Sequence, residues 1–162
     1  VAENIKYSKP EATEEEMIRA AKLVSADVVA AKLEQGYDTD VGEGGDRLST
    51  GEKQLISFAR AILADPPIFV LDEATSSIDT ETELLIQNAI QHILKGRTSF
   101  LIAHRLSTVR HADVILVVED GKIIEQGSHD ELIARGGKYA ELYKAMEIRE
   151  KSRSSGGIAL EF

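Results

Sequence analysis

Three short apolar runs limit what this chain can fold into: Ile68 to Leu71, Thr98 to Ala103 (TSFLIA) and Val114 to Val118 (VILVV). Each is brief, rich in branched residues and apolar on both faces, the character of strands in the middle of a covered parallel sheet. Between the first two, Leu85, Ile86, Ala89, Ile90, Ile93 and Leu94 recur at helical spacing, and Gly96 ends the pattern. Strand, crossover helix and strand form a βαβ unit, which predicts an α/β fold with a mostly parallel sheet and flanking helices. Asp120-Gly121 is a two-residue hairpin signal, so Lys122 to Glu125 (KIIE) should return antiparallel to the third run.

Helix starts are marked by side chains that cap free backbone N–H groups. Four stretches have the Ser/Thr-x-x-Glu form of a capping box: Thr13 with Glu16, Ser49 with Glu52, Thr80 with Glu83, and Ser128 with Glu131. The first opens a helix through Met17, Ile18, Ala21, Leu23 and Val24, and a shorter helix follows through Val28, Val29 and Leu33 to a stop at Gly36. The second opens a helix to about Ala64, halted by Asp65, Pro66 and Pro67. Two short helices close the chain, Asp130 to Arg135 and roughly Lys138 to Arg149. The stretch GYDTDVGEGGD has four glycines and no periodicity and reads as a loop. The expected organisation is a helical part over 1–47, a helix over 48–65, a sheet-and-helix layer over 66–150, and a loose serine- and glycine-rich tail over 151–162.

Composition removes several classes of function. A formal charge of -9 with no basic stripe argues against a general nucleic-acid surface. The chain has no cysteine, which excludes disulfides, thiolate metal sites and thiol nucleophiles and fits a reducing compartment. Its apolar runs are far shorter than the ~20 residues that cross a bilayer. The first residue is Val1, with neither an initiator methionine nor a leader pattern, so a piece of a longer protein is expected.

Chemistry-bearing residues gather at strand ends and at one helix start. IFVLDEATSSID delivers two adjacent carboxylates, Asp72 and Glu73, to the C-terminal end of the first strand, the edge where open α/β sheets bind ligands. Asp72 could hold a hydrated magnesium ion while Glu73 orients and deprotonates a water; a plain polar exit from the strand is the alternative. His104 follows the second strand at the matching edge, where an imidazole could donate to a phosphate oxygen or serve a structural role. In RLSTGEKQL, a helix N-terminus exposes N–H groups and partial positive charge, Gly51 leaves room for an anion and Ser49 adds a hydroxyl; Ser49 and Glu52 could equally form only a cap.

Taken in order, these residues resemble the nucleotide-binding domain of ABC transporters of the exporter type. Leu48 to Gln54 (LSTGEKQ) resembles the signature motif, Ile68 to Glu73 (IFVLDE) Walker B with the catalytic glutamate, Ser76 to Asp79 (SSID) the D-loop, and His104 the switch histidine. Thr39 to Gly45 (TDVGEGG) resembles the exporter X-loop, and AENIKY the segment after the Q-loop. The aromatic that stacks on adenine, the G-x-x-x-x-G-K-[ST] phosphate loop and the Q-loop glutamine have no counterpart, since Gly137-Lys138 is followed by Tyr139 and Gly51 by Glu52. The signature departs from the usual LSGGQ at Thr50, which narrows the approach to phosphate, and at Glu52, which adds negative charge unless the capping box engages it.

The resemblance implies a P-loop NTPase-like fold, an α-helical subdomain, and ATP with Mg2+ as cofactors. Two such domains pair head to tail, so Ser49, Thr50, Gly51 and Glu52 would face the ATP of the partner domain while Asp72 (metal), Glu73 and His104 (catalysis) serve their own. Asp79 would lie at the seam, and Gly42 and Glu43 would touch the coupling helices of a transmembrane domain. It further implies a place on the cytoplasmic face of the cell membrane, the chain itself being soluble, within a homodimer or a heterodimer. Alternatives are a soluble ABC-type ATPase and a docking module without chemistry.

Overall fold

The computed structural model describes residues 1–72, 78–102 and 106–155, which carry a mixed α/β fold, mostly helical with small sheets. The chain forms two compact units, Val1–Leu71 with Thr75–Phe100, and Asp72–Ala74 with Leu101–Phe162.

The first unit is built around one helix. α1 (Ala2–Lys6), α2 (Glu14–Leu23), α3 (Ala26–Ala31) and α5 (Thr80–Leu94) all pack on α4 (Thr50–Ala64). α4 can serve them all because Gly51, Leu55, Ile56, Phe58, Ala59 and Leu63 are buried over one face broader than the stripe of an ordinary surface helix. α2 buries Met17, Ala20 and Ala21, and α5 buries Thr82, Ile86, Ala89, Ile90 and Ile93. α1 is not marked by periodicity and is held by a side chain of α4. The Arg60 guanidinium donates to the Asn4 carbonyl at 2.6 Å and to Asn4 Oδ1 at 3.1 Å and lies 5.5 Å from the Tyr7 ring centre.

Capping follows the sequence at three of the four expected boxes, Thr13 with Glu16, Ser49 with Glu52 and Ser128 with Glu131. At the fourth the N-cap is Asp79 rather than Thr80, because the Asp79 carboxylate accepts the Thr82 N–H at 2.9 Å. α4 ends at Asp65, whose backbone turns left-handed (φ 45°) before the two prolines. α3 stops at Ala31, short of Gly36, which instead opens a 3-10 turn over Gly36–Asp38.

The strands lie close to their expected positions, but their surroundings differ from the covered sheet expected. β1 (Ile68–Asp72) and β2 (Thr98–Ile102) form one two-stranded sheet. Phe69 and Leu71 are buried, whereas Ile68 and Val70 are 58% and 67% exposed, so β1 alternates instead of being covered on both faces. In the second unit β3 (Ile115–Glu119) and β4 (Lys122–Gly127) form the expected antiparallel hairpin, with Glu119 opposite Lys122 and an irregularity between Val117 and Val118. Asp120 and Gly121 both take positive φ, 50° and 73°, as a tight twisted hairpin requires.

One face of the hairpin is covered. Val117, Leu132 of α7 (His129–Arg135) and Tyr139 of α8 (Lys138–Ser155) form a small core with Val109 of α6 (Leu106–Arg110), Ile115 and Tyr143. The Glu125 carboxylate caps α8 from β4, accepting the N–H groups of Lys138 at 2.7 Å and Tyr139 at 3.0 Å. The last helix runs to Ser155, into the stretch expected as a loose tail.

Candidate functional site

The most fully built part of the site is the head of α4. Ser49 Oγ accepts the Glu52 N–H at 3.3 Å, and the Glu52 carboxylate returns to accept the Ser49 N–H at 2.9 Å. Glu52 is therefore engaged by the capping box, which answers whether its charge is free. The Thr50 and Gly51 N–H groups fall in the first turn, which has no intrahelical acceptors for them. Ser49 and Thr50 are exposed. A helix start with such donors suits an anionic oxygen.

Gly51 has a second use that the sequence does not announce. It is buried, and a Cβ placed on it would collide with the Thr82 methyl and lie 3.1 Å from Cγ2 of Ile78. The missing side chain is what lets α5 approach α4 at this point. Thr82 in turn donates its N–H to Asp79, so Ser49 to Glu52 and Asp79 are gathered within the first unit. The Thr82 N–H and hydroxyl hold the Asp79 carboxyl below the usual carboxylate range. Thr82 was not singled out from the sequence, although the Asp79-x-x-Thr82 spacing of an N-cap and its N3 residue could have flagged it.

The loop before this helix is also organised. Asp40 Oδ1 accepts the Gly42 N–H at 2.9 Å, Arg47 donates to the Asp40 carbonyl at 3.0 Å, and Glu43–Gly45 form a 3-10 turn. Gly42 takes φ 77°, open to glycine but costly for other residues. Buried Val41 and Leu48 anchor the loop at either end and leave Gly42 and Glu43 exposed.

Asp72 ends β1 with its side chain exposed, and it belongs to the second unit. A single carboxylate at such a place fits a Mg2+ ion that keeps most of its water shell. Among the described residues no group of three or more acidic or histidine side chains could hold a metal. Glu73, Ser76 and His104 lie outside the described residues.

Comparison with known proteins gives the family. The family model described as ABC transporter matches residues 1–76. An ABC transporter ATP-binding protein of Bacillus subtilis (strain 168), YknV, is 56% identical over 145 residues, covering 90% of this chain and 24% of the relative. An ATP-dependent lipid A-core flippase of Legionella pneumophila (strain Paris) is 52% identical over 148 residues, covering 91% of this chain and 25% of the relative. The solved structure of a bacterial Atm1-family ABC exporter with ATP bound superimposes with a TM-score of 0.77 at 42% identity, over 99% of this chain and 26% of that one. The fold and these likenesses define part of an ATP-binding domain of the ABC type. The chain belongs to the ABC transporter family, as part of the ATP-binding domain of its exporter-type members. It spans about a quarter of the length of these relatives, 24% and 25% for the two above.

Proposed function

We propose that this chain supplies the signature, Walker B and D-loop portion of an ABC exporter's ATPase, in which ATP binding and hydrolysis at a head-to-tail domain interface drive export across a membrane. The observation that supports this most is the closed capping box at Ser49 and Glu52. It answers the steric part of the objection raised by the unusual glutamate, because the carboxylate is turned back to the Ser49 backbone and leaves first-turn donors for a phosphate, while its charge remains nearby.

In this reading Ser49, Thr50 and Gly51 meet the γ-phosphate of ATP held by a second nucleotide-binding domain, with Glu52 fixing the helix head. The same domain's own ATP is served by Asp72, which would hold Mg2+, by Glu73 as general base toward water, and by His104 as a donor to the γ-phosphate. Mg2+ supplies charge neutralisation between phosphate oxygens; the protein's part is positioning and electrostatics, as phosphoryl transfer requires. Asp79 lies at the seam between the two domains. Gly42 and Glu43, presented by the ordered loop, meet the coupling helices of a membrane domain, which places the assembly on the cytoplasmic face of a membrane.

The test is Glu73→Gln in the full-length transporter. Turnover should be abolished while ATP-driven pairing persists, since the change removes the base and hardly alters shape. Turnover at the wild-type rate would end the role given to Glu73.

A further inference from the structure

Two of the proposed nucleotide-facing elements meet at one side chain. Thr82 is 8% exposed and stands in the first turn of α5. Its methyl occupies the space that a side chain on Gly51 would need, with its Cβ 3.4 Å from that position. Its N–H donates to Asp79 Oδ1 at 2.9 Å. One β-branched residue is therefore held by the head of α4 on one side and by Asp79 on the other.

We propose that Thr82 is a positioning residue that locks the signature turn Ser49–Glu52 to Asp79, so that a displacement at either is transmitted to the other. This rests on the reading above, in which these two elements face the shared nucleotide and the domain seam. The physical basis is stiffness. A threonine in a helix has few χ1 options, so its methyl is held against Gly51 while its N–H is held by Asp79. Moving Asp79 draws on the Thr82 backbone, and the methyl must then press on Gly51 or withdraw from it. Close packing leaves no slack to absorb the movement, because Ile78 closes the same space. Serine would keep the N–H bond to Asp79 and lose the wedge.

The test has an arm that needs no nucleotide. In Gly51→Ala the added methyl should push Thr82 off Asp79, so that in the purified chain the Thr82 amide resonance shifts and its hydrogen exchange accelerates several-fold. Adding Thr82→Ser makes room and should restore the Asp79 bond. A Thr82 amide unmoved by Gly51→Ala overturns the proposal. Should Gly51→Ala fail to fold, Thr82→Ser alone is read from the opposite end: with the wedge gone the Thr50 and Gly51 amides must shift, and unshifted resonances overturn it equally. In the full-length transporter Thr82→Ser should lower kcat several-fold with the KM for ATP unchanged. Wild-type kcat overturns the proposal even if the amides respond. Failure of the nucleotide reading itself is recognised separately, by Glu73→Gln retaining turnover.

Discussion

Replacing Glu52 separates the structural part of the α4 head from its electrostatic part. The Glu52 carboxylate accepts one exposed N–H, that of Ser49, at 2.9 Å. Removing it in Glu52→Ala costs about 1 kcal/mol for an exposed charge-assisted bond. Loss of a negative charge from the first turn adds about 0.5 kcal/mol. Glu52→Gln keeps a carbonyl acceptor for Ser49 and forfeits mainly the second contribution, about 0.5 kcal/mol. With roughly 2–4 °C per kcal/mol for a chain of this size, alanine should lower the midpoint by about 3–6 °C and glutamine by about 1–2 °C. The assay is thermal unfolding followed by circular dichroism at low ionic strength and in molar salt, where screening should close the gap between glutamate and glutamine. Glutamine costing as much as alanine, or a gap that survives molar salt, would refute the idea that the side chain acts here first as a cap. In the full-length transporter the same Glu52→Gln change should lower the KM for ATP, because a charge is removed from the neighbourhood of a phosphate.

Other outcomes follow from the same geometry. Leu132→Ala empties a fully buried position between the hairpin and α8 and should destabilise the second unit by about 3 kcal/mol, read from urea unfolding; a loss under 1 kcal/mol would contradict that core. The Asp79 carboxyl is held below its ordinary range, chiefly by the Thr82 N–H, so its contribution to stability is present above the ordinary carboxylate value and lost as the pH falls through the folded value; Asp79→Asn should flatten stability against pH in acid. Burial pushes the Tyr139 phenol up to about 12, so the neutral form stabilises the fold below the ordinary value near 10 and that contribution disappears as pH rises toward 12; Tyr139→Phe should remove this alkaline loss in pH-dependent unfolding. The chain alone, which lacks a phosphate-loop motif, should bind ATP negligibly, and a micromolar affinity in calorimetry would refute this.

The sequence by itself determined the local signals. Capping residues, the Asp120-Gly121 turn, the halt at Asp65 and the apolar runs lie within a few residues of the groups they control, so they are legible one stretch at a time. For the same reason the stretches that resemble the signature and Walker B could be picked out as contiguous strings. What the tertiary structure decided depends on residues far apart in the chain. α1, five residues long, is too short to carry a periodic signal and is held by burial of Ile5 and by Arg60 of α4, fifty-six positions away from Asn4. The strands look suited to a sheet covered on both faces; within this chain Phe69 and Leu71 are buried and Ile68 and Val70 are exposed, because the cover of a strand comes from segments distant in sequence. Gly51 read as room for an anion and is also the place where α5 closes on α4. Apolar pattern and turn chemistry name the elements, but only close packing in three dimensions fixes which side chain fills the space that another leaves.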